Sequence, residues 1–197
     1  MTKILPLLAL AMGLALTQPP VTALAAQGVP LKIGQKAPEL AFNNPQGKTI
    51  VLSQINKGRY VLLDFWASWA NLARHDDPAL VALYNKYSGK TFRNAQNGFT
   101  IVSVSVDSDK TRWVSAIQAD KLVWPYHMSD LVDWNTGHCV PANTYGVQVI
   151  PQAFLIDPTG KIIGVYAAGS LADRDLQTYV VPPKANKVHK QDHLHRA

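Results

Sequence analysis

The chain has 197 residues, 47% of them hydrophobic and 16% charged, with a net charge of +6 and a single cysteine. These values suit one α/β domain with a normal buried core after removal of a leader, and one cysteine excludes an internal disulfide, so stability must come from the core. Lys184, Lys187, Lys190 and Arg196 place much of the positive charge at the C-terminus; no nucleic-acid reading element accompanies it, and it is read as a contribution to solubility.

In chain order, Met1 to Ala26 reads as a secretory signal. Lys3 supplies the positive start, Ile4 to Leu16 the short apolar run, and Ala23 and Ala25 the small-x-small pattern for cleavage after Ala25. The expected division is therefore residues 1–25 as signal peptide, 26–180 as one folded domain, and 181–197 as a basic, histidine-containing flexible tail. No segment reaches about 18 uninterrupted apolar residues, so no membrane span is expected. No cysteine at the cleavage site offers a thiol for a lipid anchor. The expected destination is periplasmic or secreted.

Gln27 to Gly47 is rich in Pro and Gly and should wrap the surface, with Ala41 and Phe42 able to pair at an edge. Thr49 to Leu52 is a short strand candidate. Tyr60 to Trp66 is almost continuously apolar, as befits a central strand buried on both faces. From Ala70 to Tyr87, Leu72, Leu80, Val81, Leu83 and Tyr84 recur at helical spacing, and Pro78 should kink this helix or start its main segment. Gly98 to Val106 reads as a second core strand, followed by a helix over Lys110 to Ala119 capped by Asp107 or Ser108. Trp124 to Tyr145 is irregular and aromatic. Val147 to Ile150, Pro151 and Ala153 to Ile156 form an extended segment broken by a proline. A turn at Asp157 to Gly160 joins it to Lys161 to Tyr166 as a hairpin, and Leu171 to Tyr179 is a last helix. This order predicts a central mixed β-sheet flanked by helices.

The segment DFWASWANLAR, Asp64 to Arg74, resembles the active-site segment of thioredoxins, in particular the periplasmic TlpA-like, AhpC/TSA-related branch with its Trp-Ala-Ser-Trp-Cys-x-x-Cys-Arg pattern. Asp76 and Pro78 match an acid-x-Pro step, Val104 to Asp107 a second block, and Tyr145 to Ile162 a third whose Ile150-Pro151 is similar to the family's cis-proline step. The resemblance implies a thioredoxin-like fold over nearly all the mature chain. The two positions that would hold the family's cysteines are Ala70 and Ala73. Dithiol exchange needs a thiolate to attack and a second thiol to resolve, and alanine supplies neither. Alanine at both places is also what an inactivated variant would carry, although the intact leader, Asn71 and Leu72 favour a natural sequence.

Asp64, six positions before Ala70, resembles the buried acid that serves the resolving cysteine in thioredoxins. It is either a strand residue that has found a hydrogen bond or a surviving acid whose pKa burial raises. Trp69 borders the family's substrate-docking surface, so Trp69, Ala70, Val149, Ile150 and Pro151 are the candidate substrate-binding residues. Pro151 serves either as a bend the fold requires or as the exposed backbone edge to which a peptide could add as a strand. Cys139 is an inert or half-buried thiol, or alternatively an intermolecular or redox-sensing one. His75, Asp76 and Asp77 are consecutive on a helix and fan apart; the two acids are explained by the helix dipole. His189, His193 and His195 suggest incidental binding at most, so neither a metal nor a cofactor is expected. The expected function is a redox-inactive module of the cell envelope that binds an exported protein or peptide. The alternative is a thiol-disulfide oxidoreductase or antioxidant protein acting through Cys139 or a partner.

Overall fold

The computed structural model describes residues 28–183. The signal-peptide segment, the tail histidines and the four basic tail residues lie outside this range. Seven strands form one sheet: β1 (Ala41–Asn43), β2 (Thr49–Val51), β3 (Tyr60–Trp66), β4 (Phe99–Ser105), β5 (Tyr126–Ser129), β6 (Gln152–Ile156) and β7 (Ile162–Tyr166). Their order is β2-β1-β5-β4-β3-β6-β7. β3, β4 and β5 run parallel and the other pairings are antiparallel, so the sheet is mixed as the order of elements predicts. Every residue of β3 and β4 is buried, which is why β3 reads as almost continuously apolar, while β4 also buries Thr100, Ser103 and Ser105.

The helices are α1 (Leu52–Asn56), α2 (Asn71–Tyr87), α3 (Lys110–Ala119), α4 (Val140–Tyr145) and α5 (Asp173–Tyr179), with a tight 3-10 turn over Gly169–Ala172 before the last. Helix α2 runs through Pro78 without ending there. Its buried face is Ala73, Asp77, Leu80, Leu83 and Tyr87, spaced by three and four, whereas Leu72 is turned about 100° away and is 77% exposed. Leu72 therefore does not belong to the apolar stripe expected of it.

Four local expectations change. Leu52 opens α1 instead of closing β2. The α3 cap is Asp109, whose carboxylate accepts from the amides of Thr111 and Arg112 at 2.8 and 3.1 Å; Asp107 instead binds Ser68. The stretch from Trp124 to Tyr145 holds both β5 and α4, too short and too polar to show a period. Val147 to Ile150 is not strand. The register Phe65↔Gln152 would next set Trp66 against Pro151, which has no amide to give, and the ladder starts at Gln152.

The segment before β1 does wrap the surface. The amides of Gly34 and Ala37 donate to the carbonyls of Ile162 and Gly160, and the amide of Ile162 donates to Gln35. The Tyr145 hydroxyl donates to the Pro38 carbonyl at 2.8 Å. At the other end, the Val181 amide donates to Thr91.

Candidate functional site

The site candidates gather at the end of β3 from which the Ala67–Ala70 turn leads into α2. The amide of Ala70 donates to Ala67 at 3.0 Å, and that of Val106 to Trp66 at 3.0 Å. Asp107 latches the turn. It is 1% exposed; its carboxylate accepts from the Ser68 amide at 2.9 Å, the Ser68 hydroxyl at 2.6 Å and the Ser105 hydroxyl at 2.7 Å. A buried acid with three donors fixes the loop in one geometry. The sequence reading missed this role; the signal available was Ser68 two residues after a largely apolar strand, with Asp107 two residues after the adjacent one.

Ala70 is the N-cap of α2, with no side-chain cap, and is 8% exposed; Ala73 is 3% exposed. The two methyls thus sit where a helix start would lower a thiol's pKa, but carry no reactive group. Trp69 and Val149 are exposed, at 49% and 70%, and Ile150 and Pro151 are half-buried. The Ile150–Pro151 peptide bond is cis. The β3–β6 register sets Pro151 level with Trp66, at the same end of the sheet as the turn. Trp69 also lines a shallow open cavity of about 350 Å³ with Ser68, Arg74, Arg112 and Ala116; Val149, Ile150 and Pro151 do not line it.

Asp64 is 2% exposed, and its Oδ1 has no hydrogen-bond partner among the described residues. Burial, and secondarily the charge of Asp76, push its pKa up to about 7. Asp76 accepts from the amide of Ser170 at 3.0 Å and from the Ser170 hydroxyl, tying the Gly169–Ala172 turn to α2. The dipole reading of Asp76 and Asp77 fails, because α2 has no acid in its first turn and Asp77 is 2% exposed on the core face. Its spacing of four from Ala73 and three from Leu80 was the legible sign.

Cys139 lies apart from this end, beside a larger open cavity of about 510 Å³ that Trp134, Asn135, Asn143 and Gln148 also line. The thiol is 2% exposed, its Sγ 3.7 Å from Asp130 Oδ1. Burial pushes its pKa up to about 12, and the neighbouring Asp130 adds to the rise. Such a group is a protonated thiol and a poor nucleophile at neutral pH. Native protein is accordingly expected to leave Cys139 unreacted with a disulfide reagent such as DTNB over minutes, and to release one thiol per chain in denaturant; fast native reaction would contradict this assignment.

Among the described residues, no group of three or more His, Cys, Asp or Glu side chains is placed to hold a metal ion. No helix among them is long and apolar enough to cross a membrane.

Comparison with known proteins agrees with this architecture. The thiol-disulfide oxidoreductase ResA of Bacillus thuringiensis (strain Al Hakam) is 32% identical over 133 residues, 68% of this chain and 68% of that protein. ResA of Bacillus subtilis (strain 168) is 27% identical over 147 residues, covering 75% and 73%. The solved thioredoxin domain of a thiol-disulfide oxidoreductase from Bacteroides vulgatus superposes with a TM-score of 0.63 at 29% identity, covering 76% of this chain and 99% of that one. The AhpC/TSA family model matches residues 33–165, from the strap before β1 to the penultimate residue of β7. The chain belongs to the AhpC/TSA family, within its thioredoxin-like thiol-disulfide oxidoreductase relatives.

Proposed function

We propose that this protein is an exported, redox-inactive member of its family that binds an extended segment of a protein partner or peptide at the Trp69, Ala70 and Val149–Pro151 end of the sheet. The observation that carries the reading is the pair of methyl groups at Ala70 and Ala73, set in a turn still latched by three hydrogen bonds to Asp107. Exchange chemistry requires sulfur at those places; a docking surface does not. Val147 to Ile150 has no ladder partner among the described residues, and Val149 is exposed, which supports main-chain pairing with a guest strand. Exchange through Cys139 has its burial against it.

The test is calorimetric titration of the mature protein with extended apolar peptides, alongside an insulin-reduction assay. Binding without turnover is expected. Trp69→Ala and Val149→Asp should each weaken binding about tenfold, roughly 1.4 kcal/mol. Unchanged affinity in both variants would move the binding surface elsewhere, and turnover by the parent chain would overturn the redox-inactive reading.

A further inference from the structure

Arg59 and Asn97, the residues leading into β3 and β4, line an open cavity of about 370 Å³. It lies at the opposite end of β3 from the turn that carries Ala70 and Ala73, a strand's length of about 20 Å away. Its lining is one-sided in charge, with Lys48, Lys57 and Arg59 beside Tyr126 and no carboxylate. Ile50 and Ile55 add an apolar wall. Glu39 belongs to the adjoining cavity that Lys57 also borders, and it accepts from the amides of Leu40 and Ser53 at 3.1 and 3.0 Å.

Neutral groups hold this corner in place. Gly58 turns the chain from α1 into β3 at φ +66°, a conformation that glycine adopts without strain. The Asn97 amide donates to the Gly58 carbonyl at 2.8 Å, and Asn97 Nδ2 donates to the Lys57 carbonyl at 2.9 Å. Arg59 is half-buried; its Nε donates to the Asn97 carbonyl at 3.0 Å and its Nη1 to the Tyr126 hydroxyl at 3.3 Å. The remaining N–H groups of the guanidinium, both of those on Nη2 included, have no acceptor among the described residues. The Tyr126 oxygen accepts from Arg59, so its own hydrogen is still to be given. Among the described residues, Arg74, Lys86 and Arg112 each meet a carboxylate, whereas Lys48, Lys57 and Arg59 meet none.

Three like charges around one cavity repel each other, and a counter-charge relieves that repulsion. A fixed guanidinium with N–H groups to spare, next to a phenol hydroxyl, suits an oxyanion. Two exposed ammonium groups add charge without direction, which favours a doubly charged phosphate over a carboxylate. The volume is that of a small-molecule pocket, larger than an oxyanion alone fills, and Ile50, Ile55 and the Tyr126 ring offer the rest of it to an apolar body.

We propose that this cavity is a second binding site, for a small soluble organic phosphate. The phosphate sits on Arg59, Tyr126 and the two lysines, and the carbon skeleton lies against Ile50 and Ile55. The site is independent of the peptide surface at the other end of the sheet.

The experiment is nitrogen-15 amide NMR titration of the mature protein with phenyl phosphate, with inorganic phosphate, benzoate and phosphatidylglycerol vesicles as parallel arms. Phenyl phosphate is expected to shift the amides of Lys57, Arg59, Asn97 and Tyr126 saturably, with a Kd below about 1 mM. It should bind at least about tenfold more tightly than inorganic phosphate or benzoate, through the apolar wall and the second charge respectively. Affinity should rise from about pH 5 to about pH 7.5, as the ligand loses its second proton near pH 6. Arg59→Gln should weaken binding at least about tenfold and the exposed Lys48→Gln about threefold. Shifts that do not saturate by about 10 mM, or that map to another surface, overturn the proposal. Equal affinity for inorganic phosphate or benzoate overturns the ligand class. Vesicle binding that Arg59→Gln abolishes would reassign the site to a lipid headgroup and overturn the soluble ligand. Should Arg59→Gln fail to fold, the mapped shifts of the parent and the Lys48→Gln comparison decide it.

Discussion

Ala70→Cys/Ala73→Cys is expected to reduce insulin disulfides where the parent chain is silent. Removing a catalytic nucleophile from an otherwise complete site costs on the order of 10⁶ in rate. Restoring the pair to a scaffold not kept for that chemistry should recover at least about 100-fold over the parent background, because the main determinants of thiolate reactivity are in place. Position 70 caps a 17-residue helix whose first amides have no side-chain cap, which favours a thiolate there. Asp64 remains in β3 as a buried acid with a pKa of about 7, able to exchange a proton near neutrality. The measurement is turnover under excess dithiothreitol, with each single Ala→Cys variant as control. Activity confined to the double variant would show that the two methyls alone separate this chain from exchange. A silent but folded double variant would mean that the turn geometry, and with it the docking surface, has departed from that of active relatives.

Asp107→Ala is expected to be the most damaging single substitution near the site. It strands the Ser68 amide and the Ser68 and Ser105 hydroxyls, all of which donate to this 1% exposed carboxylate. Each buried donor left without an acceptor costs about 1–3 kcal/mol, so a loss of roughly 3–5 kcal/mol is expected, a large fraction of a domain's total stability. Ser68→Ala, which removes one hydroxyl and leaves the amide bonded, should cost only about 1 kcal/mol. Urea unfolding midpoints at constant m-value distinguish the two. Comparable small effects would show that the turn is held by backbone bonds alone, and would weaken the argument that the scaffold around Ala70 is preserved.

Strand β3 was legible in the sequence because a strand covered on both faces is nearly all apolar, Asp64 being its one charged residue, and β4 because Ile101, Val102 and Val104 stand among small Thr and Ser residues that can be buried. The hairpin from β6 to β7 was legible from its turn chemistry: Asp157 Oδ1 accepts from the amides of Thr159 and Lys161, at 2.8 and 3.0 Å. Strand β5 was not. It needs only four residues, and it carries His127 and Ser129 into the core because its neighbours supply the burial. Helix α4, at six residues, is shorter than the two turns over which a period shows. The Ala70 and Ala73 positions were visible through the surrounding motif, whereas the groups that hold them were hidden. Asp107 and Asp77 look like surface acids in a list of residues, and only the fold turns them inward.

The strap that precedes β1 also bears on the order in which the molecule completes itself. Lys36 bridges to Lys161, about 125 residues further along, and the amides of Gly34 and Ala37 find their acceptors at Ile162 and Gly160. These partners are among the last residues of the domain to be synthesised. The strap covers one end of β7, the outermost strand on that side, and until it arrives that edge presents unpaired backbone groups to any neighbouring chain. The earliest residues of the domain are thus among the latest to find their place, and the interval before they do is when the nascent protein is most open to pairing with another copy or being held by a chaperone.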